Sequence, residues 1–195
     1  MAHRVFVSYC HREDQGYADE LRSFYGSNDA LIDRSLPEEI DSDDDDYVIG
    51  RIRTEHLKDS TVTIVLIGTN AWTRKWVDWE IYSSLRPYRD RTINGLLGIT
   101  LPGAKVLPRR FADSFRVERL FGREVQTGYA KLVSWDCIAP PAYQRLDTPS
   151  QPETQMRRAR LMEWVEAAFR NRDYPGLIAP SRTRMRRNLS PWERP

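Results

Sequence analysis

The segment Ser60–Leu85, STVTIVLIGTNAWTRKWVDWEIYSSL, constrains the fold of this chain more than any other. Its apolar run Val62–Ile67 is rich in β-branched residues, carries no charge and stops at Gly68. A run this short and this β-branched predicts a strand buried on both faces. Gly68, Thr69 and Asn70 then turn the chain, and helical spacing predicts a helix over 72–85. On that helix Trp72, Trp76, Trp79 and Tyr82 or Ser83 share one stripe. Glu80 stands among apolar neighbours, directly after Trp79. A strand end, a turn and a carboxylate on the next helix mark the place where open α/β sheets bind ligands.

The flanking segments extend this plan. RVFVSY, residues 4–9, predicts a first strand, and residues 15–25 a helix with Tyr17, Leu21, Phe24 and Tyr25 on its apolar face. Asp14 is its expected N-cap and Gly26 its stop. Residues 30–33 predict a short second strand, followed by a polar stretch to Asp46 containing the run DSDDDD. Residues 47–58 predict a helix, with the preceding aspartates favourable at its N-terminus. Residues 91–101 predict a fourth strand and 129–135 a fifth, with 104–127 irregular apart from a helical turn. The last helix is expected over 153–172, burying Met156, Leu161, Trp164, Val165, Ala168 and Phe169. This order predicts an α/β fold: an open, mainly parallel five-stranded sheet with helices on both faces.

A chain of 195 residues is long enough for one domain with a sizeable core, expected over 1–172. Residues 173–195, rich in Pro and Arg, lack periodicity and are expected to form a C-terminal tail. No run approaches the roughly 18 apolar residues of a membrane helix, and because a strand-like segment begins at Arg4 no signal peptide is expected. Only Cys10 and Cys137 are present, so a reduced, cytoplasmic protein without disulfides is expected. Net charge is +2, divided as −8 over residues 1–60 and +10 over residues 61–195. The basic half reads as a solvated Arg-rich surface, and the cluster Arg182, Arg184, Arg186 and Arg187 as a solvated tail rather than a nucleic-acid site.

Spacing alone leaves two readings of Glu80. Partly desolvated at the ligand edge, it can act on a sugar hydroxyl or stabilise developing positive charge. Otherwise it is a surface glutamate paired with Arg74 or Lys75. The acidic run Asp41–Asp46 lacks the glycine and closing glutamate of a calcium loop and reads as a solvated loop. His3, His11 and His56 are scattered, no Cys/His spacing suits zinc, and no metal is expected. Cys10 reads as a small buried thiol. There is no Walker loop, GxGxxG or GxSxG, which argues against a P-loop or Rossmann nucleotide site.

Three segments together, RVFVSY at 4–9, STVTIVLIG at 60–68 and RKWVDWEI at 74–81, resemble the TIR-like domain family. The similarity is greatest to the TIR-like subunits of the Thoeris antiphage system and extends over about residues 3–101. It implies a flavodoxin-like sheet and cleavage of NAD⁺, a substrate and not a cofactor, at its nicotinamide–ribose bond. The ADP-ribose unit then closes into a cyclic ADP-ribose-type messenger that activates a separate effector. The family's catalytic glutamate falls on Glu80. Phe6, Ser8 and Tyr9 match the floor of its site, Asp33 and Ser35 its variable loop over the substrate, and Trp76 either packs beneath Glu80 or meets nicotinamide. Self-association is also a property of the family. Two other activities share these features: a non-catalytic TIR-like scaffold, and an N-glycoside transferase acting on nucleosides.

Overall fold

The computed structural model describes residues 3–25, 31–32, 44–87, 92–139 and 151–178. Five strands form one parallel sheet in the order β2-β1-β3-β4-β7. They are β1 (Val5–Ser8), β2 (Leu31–Ile32), β3 (Val62–Ile67), β4 (Gly95–Thr100) and β7 (Lys131–Ser134). All six residues of β3 are buried, as its apolar run predicts, because helices cover both faces. The register aligns Ser8 with Val65 and Leu66 with Ile99. The chain thus has the predicted fold class, a flavodoxin-like open sheet whose order reverses between β1 and β3.

One face of the sheet presents Val5, Val7, Ile64, Leu66, Leu97 and Ile99 to α1 (His11–Tyr25) and α6 (Gln151–Arg170). The other presents Val65, Ile67 and Leu96 to α3 (Lys75–Ser84) and to Phe111 of α4 (Arg109–Ser114). On that same side Phe6 packs with Trp79 and with Val48 and Ile52. Val48 belongs to α2 (Asp45–Arg51), and Ile52 opens a wider π-type turn, Ile52–His56, that continues it. Asp44 caps α2, accepting hydrogen bonds from the backbone N–H groups of Asp46 (3.0 Å) and Tyr47 (3.1 Å).

Several boundaries differ from the expectations. α1 begins at His11, four residues early, so Asp14 lies inside the helix and is buried instead of capping it. α3 begins at Lys75: Ala71–Thr73 form a 3-10 turn and Arg74 is extended, which removes Trp72 from the helical stripe. The stretch 104–127 is more ordered than its sequence suggests. It contains α4 and an antiparallel hairpin of β5 (Val117–Leu120) and β6 (Arg123–Gln126). The Gln126 side chain closes the outer edge of β7, donating to the Leu132 carbonyl at 2.7 Å and accepting from its N–H at 2.9 Å. A short helix α5 (Trp135–Ile138) follows β7.

On α6, Met156 is half exposed, against its expected burial, and the neighbouring Arg157 is buried instead. Glu20 and Glu153 lie 3.7 and 3.4 Å from the Arg157 guanidinium. Past α6, 3-10 turns at Asn171–Asp173 and Pro175–Leu177 lie on the body of the domain, and Ile178 packs against the second face. No helix among the described residues is long and apolar enough to cross a membrane.

Candidate active site

Glu80 occupies the middle of α3, which crosses the sheet beside β1. Val77 and Ile81 anchor the helix in the core over β3, and Trp79 packs with Phe6. These contacts turn the intervening Glu80 inward, where it is only 4% exposed. The surface-glutamate reading is therefore corrected. Arg74 instead binds Glu13 at 2.7 Å, and the Lys75 ammonium lies 4.9 and 5.0 Å from the rings of Trp76 and Trp79.

Burial pushes the Glu80 carboxyl up to about 8, because its charged form loses hydration. The adjacent Ser8 hydroxyl pulls the other way, though it falls short of full hydrogen-bond geometry and is itself completely buried. At neutral pH this carboxyl is mostly protonated. Positive charge placed beside it would favour the ionised form.

A buried ladder of polar groups fixes the helix turn that carries Glu80. Ser84 Oγ donates to the Glu80 carbonyl at 2.7 Å and lies 2.7 Å from Thr63 Oγ1 on β3. Asn94 Nδ2 reaches Thr63 Oγ1 at 3.1 Å and Ser60 Oγ at 2.8 Å, and the Tyr129 hydroxyl donates to the Asn94 carbonyl at 2.7 Å. Such a satisfied network inside a core rigidifies what it touches.

The other expected site residues divide into groups. Ser8 meets Glu80, while Phe6 is fully buried in the cluster with Trp79 and so supports the site from below. Trp76 is partly buried against this cluster, its ring 5.7 Å from that of Trp79. Its indole N–H is buried without a partner. Tyr9 lies on the opposite face, with α1: its hydroxyl donates to Gln15 Oε1 and accepts from Arg22, both at 3.0 Å. Its ring centroid lies 4.3 Å from that of His11, the planes tilted by 31°. Asp33 and Ser35 lie outside the described residues.

Sequence reasoning missed the environment of Asp14. This carboxyl is 5% exposed, and burial raises it to about 6 against the opposing pull of the Cys10 backbone. It presses on Gly68, where an added Cβ would stand 2.2 Å from Asp14 Oδ1. Only glycine fits there. The readable signal was Gly68 itself, placed where β3 leaves the sheet. Beside it, the Glu13 carboxylate accepts from Asn70 Nδ2 at 2.9 Å as well as from Arg74, tying the start of α1 to the β3–α3 connection. These groups crowd the carboxyl ends of β1 and β3, where strand order reverses and open sheets take ligands.

No curated protein matches this chain. The family described as Thoeris protein ThsB, TIR-like domain, matches residues 6–106, just over half of its length. That span runs from β1 past β4 and includes Ser8, Gly68 and Glu80. With its sheet order and the buried carboxyl on α3, the chain belongs to the ThsB-type TIR-like family of the Thoeris antiphage system.

Proposed function

We propose that this protein cleaves NAD⁺ to nicotinamide and a cyclic ADP-ribose-type nucleotide, which signals to a separate effector in antiphage defence. The observation that supports this most is Glu80, buried on α3 next to Ser8 at the end of β1. In the proposed reaction the bond between ribose C1′ and the nicotinamide nitrogen breaks, and its electron pair leaves with nicotinamide. Nicotinamide departs neutral, so no acid is required to assist it. The demand falls on stabilising the oxocarbenium-like ribose, which one carboxylate meets. Glu80, protonated at rest, gives up its proton to solvent as the cationic ribose forms beside it. A nucleophilic atom of the same ADP-ribose unit then bonds to C1′, and any proton displaced from it passes to solvent or to the Glu80 carboxylate.

The buried setting gives the carboxylate more leverage than it has in water, provided that water is excluded when the ribose binds. It also holds Glu80 neutral in the resting protein, which suits an enzyme that is silent until triggered. The Ser8 hydroxyl is a ready donor to the ionised carboxylate or to a ribose oxygen.

The test compares metabolites of phage-challenged cells carrying the wild type or Glu80→Gln. Mass spectrometry is expected to find an ADP-ribose-derived product with the wild type and about a hundredfold less of it, or lower still, with the variant. The same product at the same level from both would remove Glu80 from the mechanism.

A further inference from the structure

A cavity of about 390 Å³ opens between the C-terminal end of α3, α4 and the segment after α6. Leu85, Pro87, Ile93 and Ile178 form apolar walls, and its volume falls in the range that holds a small organic ligand. Ile93 comes just before β4, so the cavity lies toward the amino ends of the strands, away from the crevice at the end of β1.

Its polar groups are specifically arranged. Arg110 is 3% exposed, with Nε 2.8 Å from Asp78 Oδ1, which fixes the guanidinium. That guanidinium lies 4.8 Å from the Tyr82 ring centroid, and the Arg86 guanidinium lies 4.1 Å from the same centroid. Two planar cations thus frame one aromatic ring. Asp78 is 5% exposed and its second oxygen, Oδ2, has no hydrogen-bond partner, so the charge pair behind the cavity is incompletely satisfied. A second cavity of about 330 Å³ shares Tyr82, Arg86 and Pro87 with the first and adds Asp46, Ile49 and Arg53. Arg86 therefore stands on the common wall, between Arg53 and Arg110.

We propose that this cavity is a binding site for a mononucleotide, distinct from the Glu80 site. The base lies between the apolar walls and the Tyr82–Arg110 layer, and the phosphate meets Arg86 at the mouth. Guanidinium planes stack on bases as they do on aromatic rings, and the N–H edge of arginine matches phosphate geometry. Buried Ser114 and rim Asp113 supply hydrogen-bonding groups for the base edge or the ribose hydroxyls. Purely apolar walls would suit any hydrophobe, whereas the fixed guanidinium layer selects a planar ring and Arg86 selects an anion on it.

This inference does not rest on the NAD⁺-cleaving function. On α3, Asp78 and Tyr82 stand four residues apart on the side of the helix away from Glu80, and Arg86 follows two residues past the helix's last turn. The two sites can therefore be tested separately.

The experiment titrates the full chain with adenosine 5′-monophosphate by calorimetry, with adenosine and inorganic phosphate as comparators. Saturable binding is expected for the nucleotide, weaker by about tenfold when the phosphate is omitted. Arg86→Ala is expected to weaken it by a similar factor, and Ile178→Trp, which fills the cavity, to abolish it. Glu80→Gln is expected to leave it unchanged. Arg86 is exposed, so its variant keeps the fold even if the larger tryptophan disturbs it. The site is overturned if the nucleotide fails to saturate at millimolar concentration, if inorganic phosphate or adenosine binds as tightly, or if Arg86→Ala binds like the wild type. Loss of binding in Glu80→Gln would also overturn it, because the nucleotide would then occupy the other site.

Discussion

Two buried carboxyls, Glu80 on α3 and Asp14 on α1, hold their protons longer than the unfolded chain does. Burial is the leading cause for both: Glu80 rises from 4.5 to about 8 and Asp14 from 3.8 to about 6. The sign follows from linkage. Within each window the folded state binds more protons than the unfolded one, so both groups lower stability as pH rises through it. For Glu80 the loss begins near pH 4.5 and is complete just above pH 8. Glu80→Gln keeps the shape and removes the ionisation, so the variant is expected to match the wild type at pH 5 and exceed its stability at pH 8. The difference at pH 8 is on the order of 2–4 kcal/mol, discounted from the full shift because water enters such sites on ionisation. Urea melts at both pH values measure it. Asp14 is present in both proteins and cancels, so parallel stability curves would mean that Glu80 is ionised in the resting fold. The same substitution is expected to abolish product, and a variant that gains stability while losing activity is the signature of a site held at a cost to the fold.

At the scale of elements, close approach separates the two glycines of β4. A Cβ on Gly95 would stand 2.3 Å from the backbone oxygen of Ala168 on α6, whereas one on Gly98 would meet the ring tip of Phe111 at 2.4 Å. The far end of a side chain shifts more readily than a helix backbone, although Phe111 is itself fully buried. Gly95→Ala is therefore expected to destabilise by about 3 kcal/mol and Gly98→Ala by less, in a comparison of denaturation midpoints. Equal losses would mean that α6 is free to shift on the sheet. The elements legible in the sequence were those whose pattern is set by burial. β3 and the lower half of α3 are examples, because Val62–Ile67 and the spacing of Val77 and Ile81 are consequences of being covered. The hairpin β5–β6 was not legible, since its residues are largely exposed and no apolar face marks it. Its turn places Phe121 at φ 50° and fully in solvent, where asparagine or glycine would be the usual signal. Asp14 was misplaced for a related reason. An aspartate before an apolar-periodic run has the form of an N-cap, and only the contact with Gly68, across 54 positions of sequence, shows that it is buried. Of the candidate site, the burial of Glu80 was legible from its apolar neighbours Trp79 and Ile81. Strand alternation puts Ser8 and Tyr9 on opposite faces, which divides the floor that the resemblance implies for Phe6, Ser8 and Tyr9.

At the scale of the molecule, residues 151–178 complete the described fold. The stretch that matches the family ends at residue 106, before α6, but α6 supplies Leu161, Val165 and Ala168 to the sheet face that α1 covers only in part. Beyond α6 the chain turns back onto the amino ends of the strands. Arg172 Nε donates to the Ile93 carbonyl at 2.7 Å, and Asn171 Nδ2 donates to the Tyr129 carbonyl at 2.6 Å. Tyr129 in turn holds Asn94, which reaches Thr63 and, through Ser84, the carbonyl of Glu80. A hydrogen-bonded path therefore connects the end of the domain to the helix that carries the candidate catalytic group. Because each link is buried or half-buried, losing one end exposes acceptors that the fold has arranged to satisfy. A chain ending at Arg170 lacks both donors, whereas one ending at Ile178 keeps them together with the Ile178 contact. The shorter chain is expected to be less stable by about 2–3 kcal/mol, roughly one for each lost hydrogen bond plus the apolar contact. Chemical denaturation of the two truncations at one pH measures the difference. Equal stabilities would show that residues 171–178 rest on the domain without bracing it, and that the ladder beneath Glu80 is held by the strands alone.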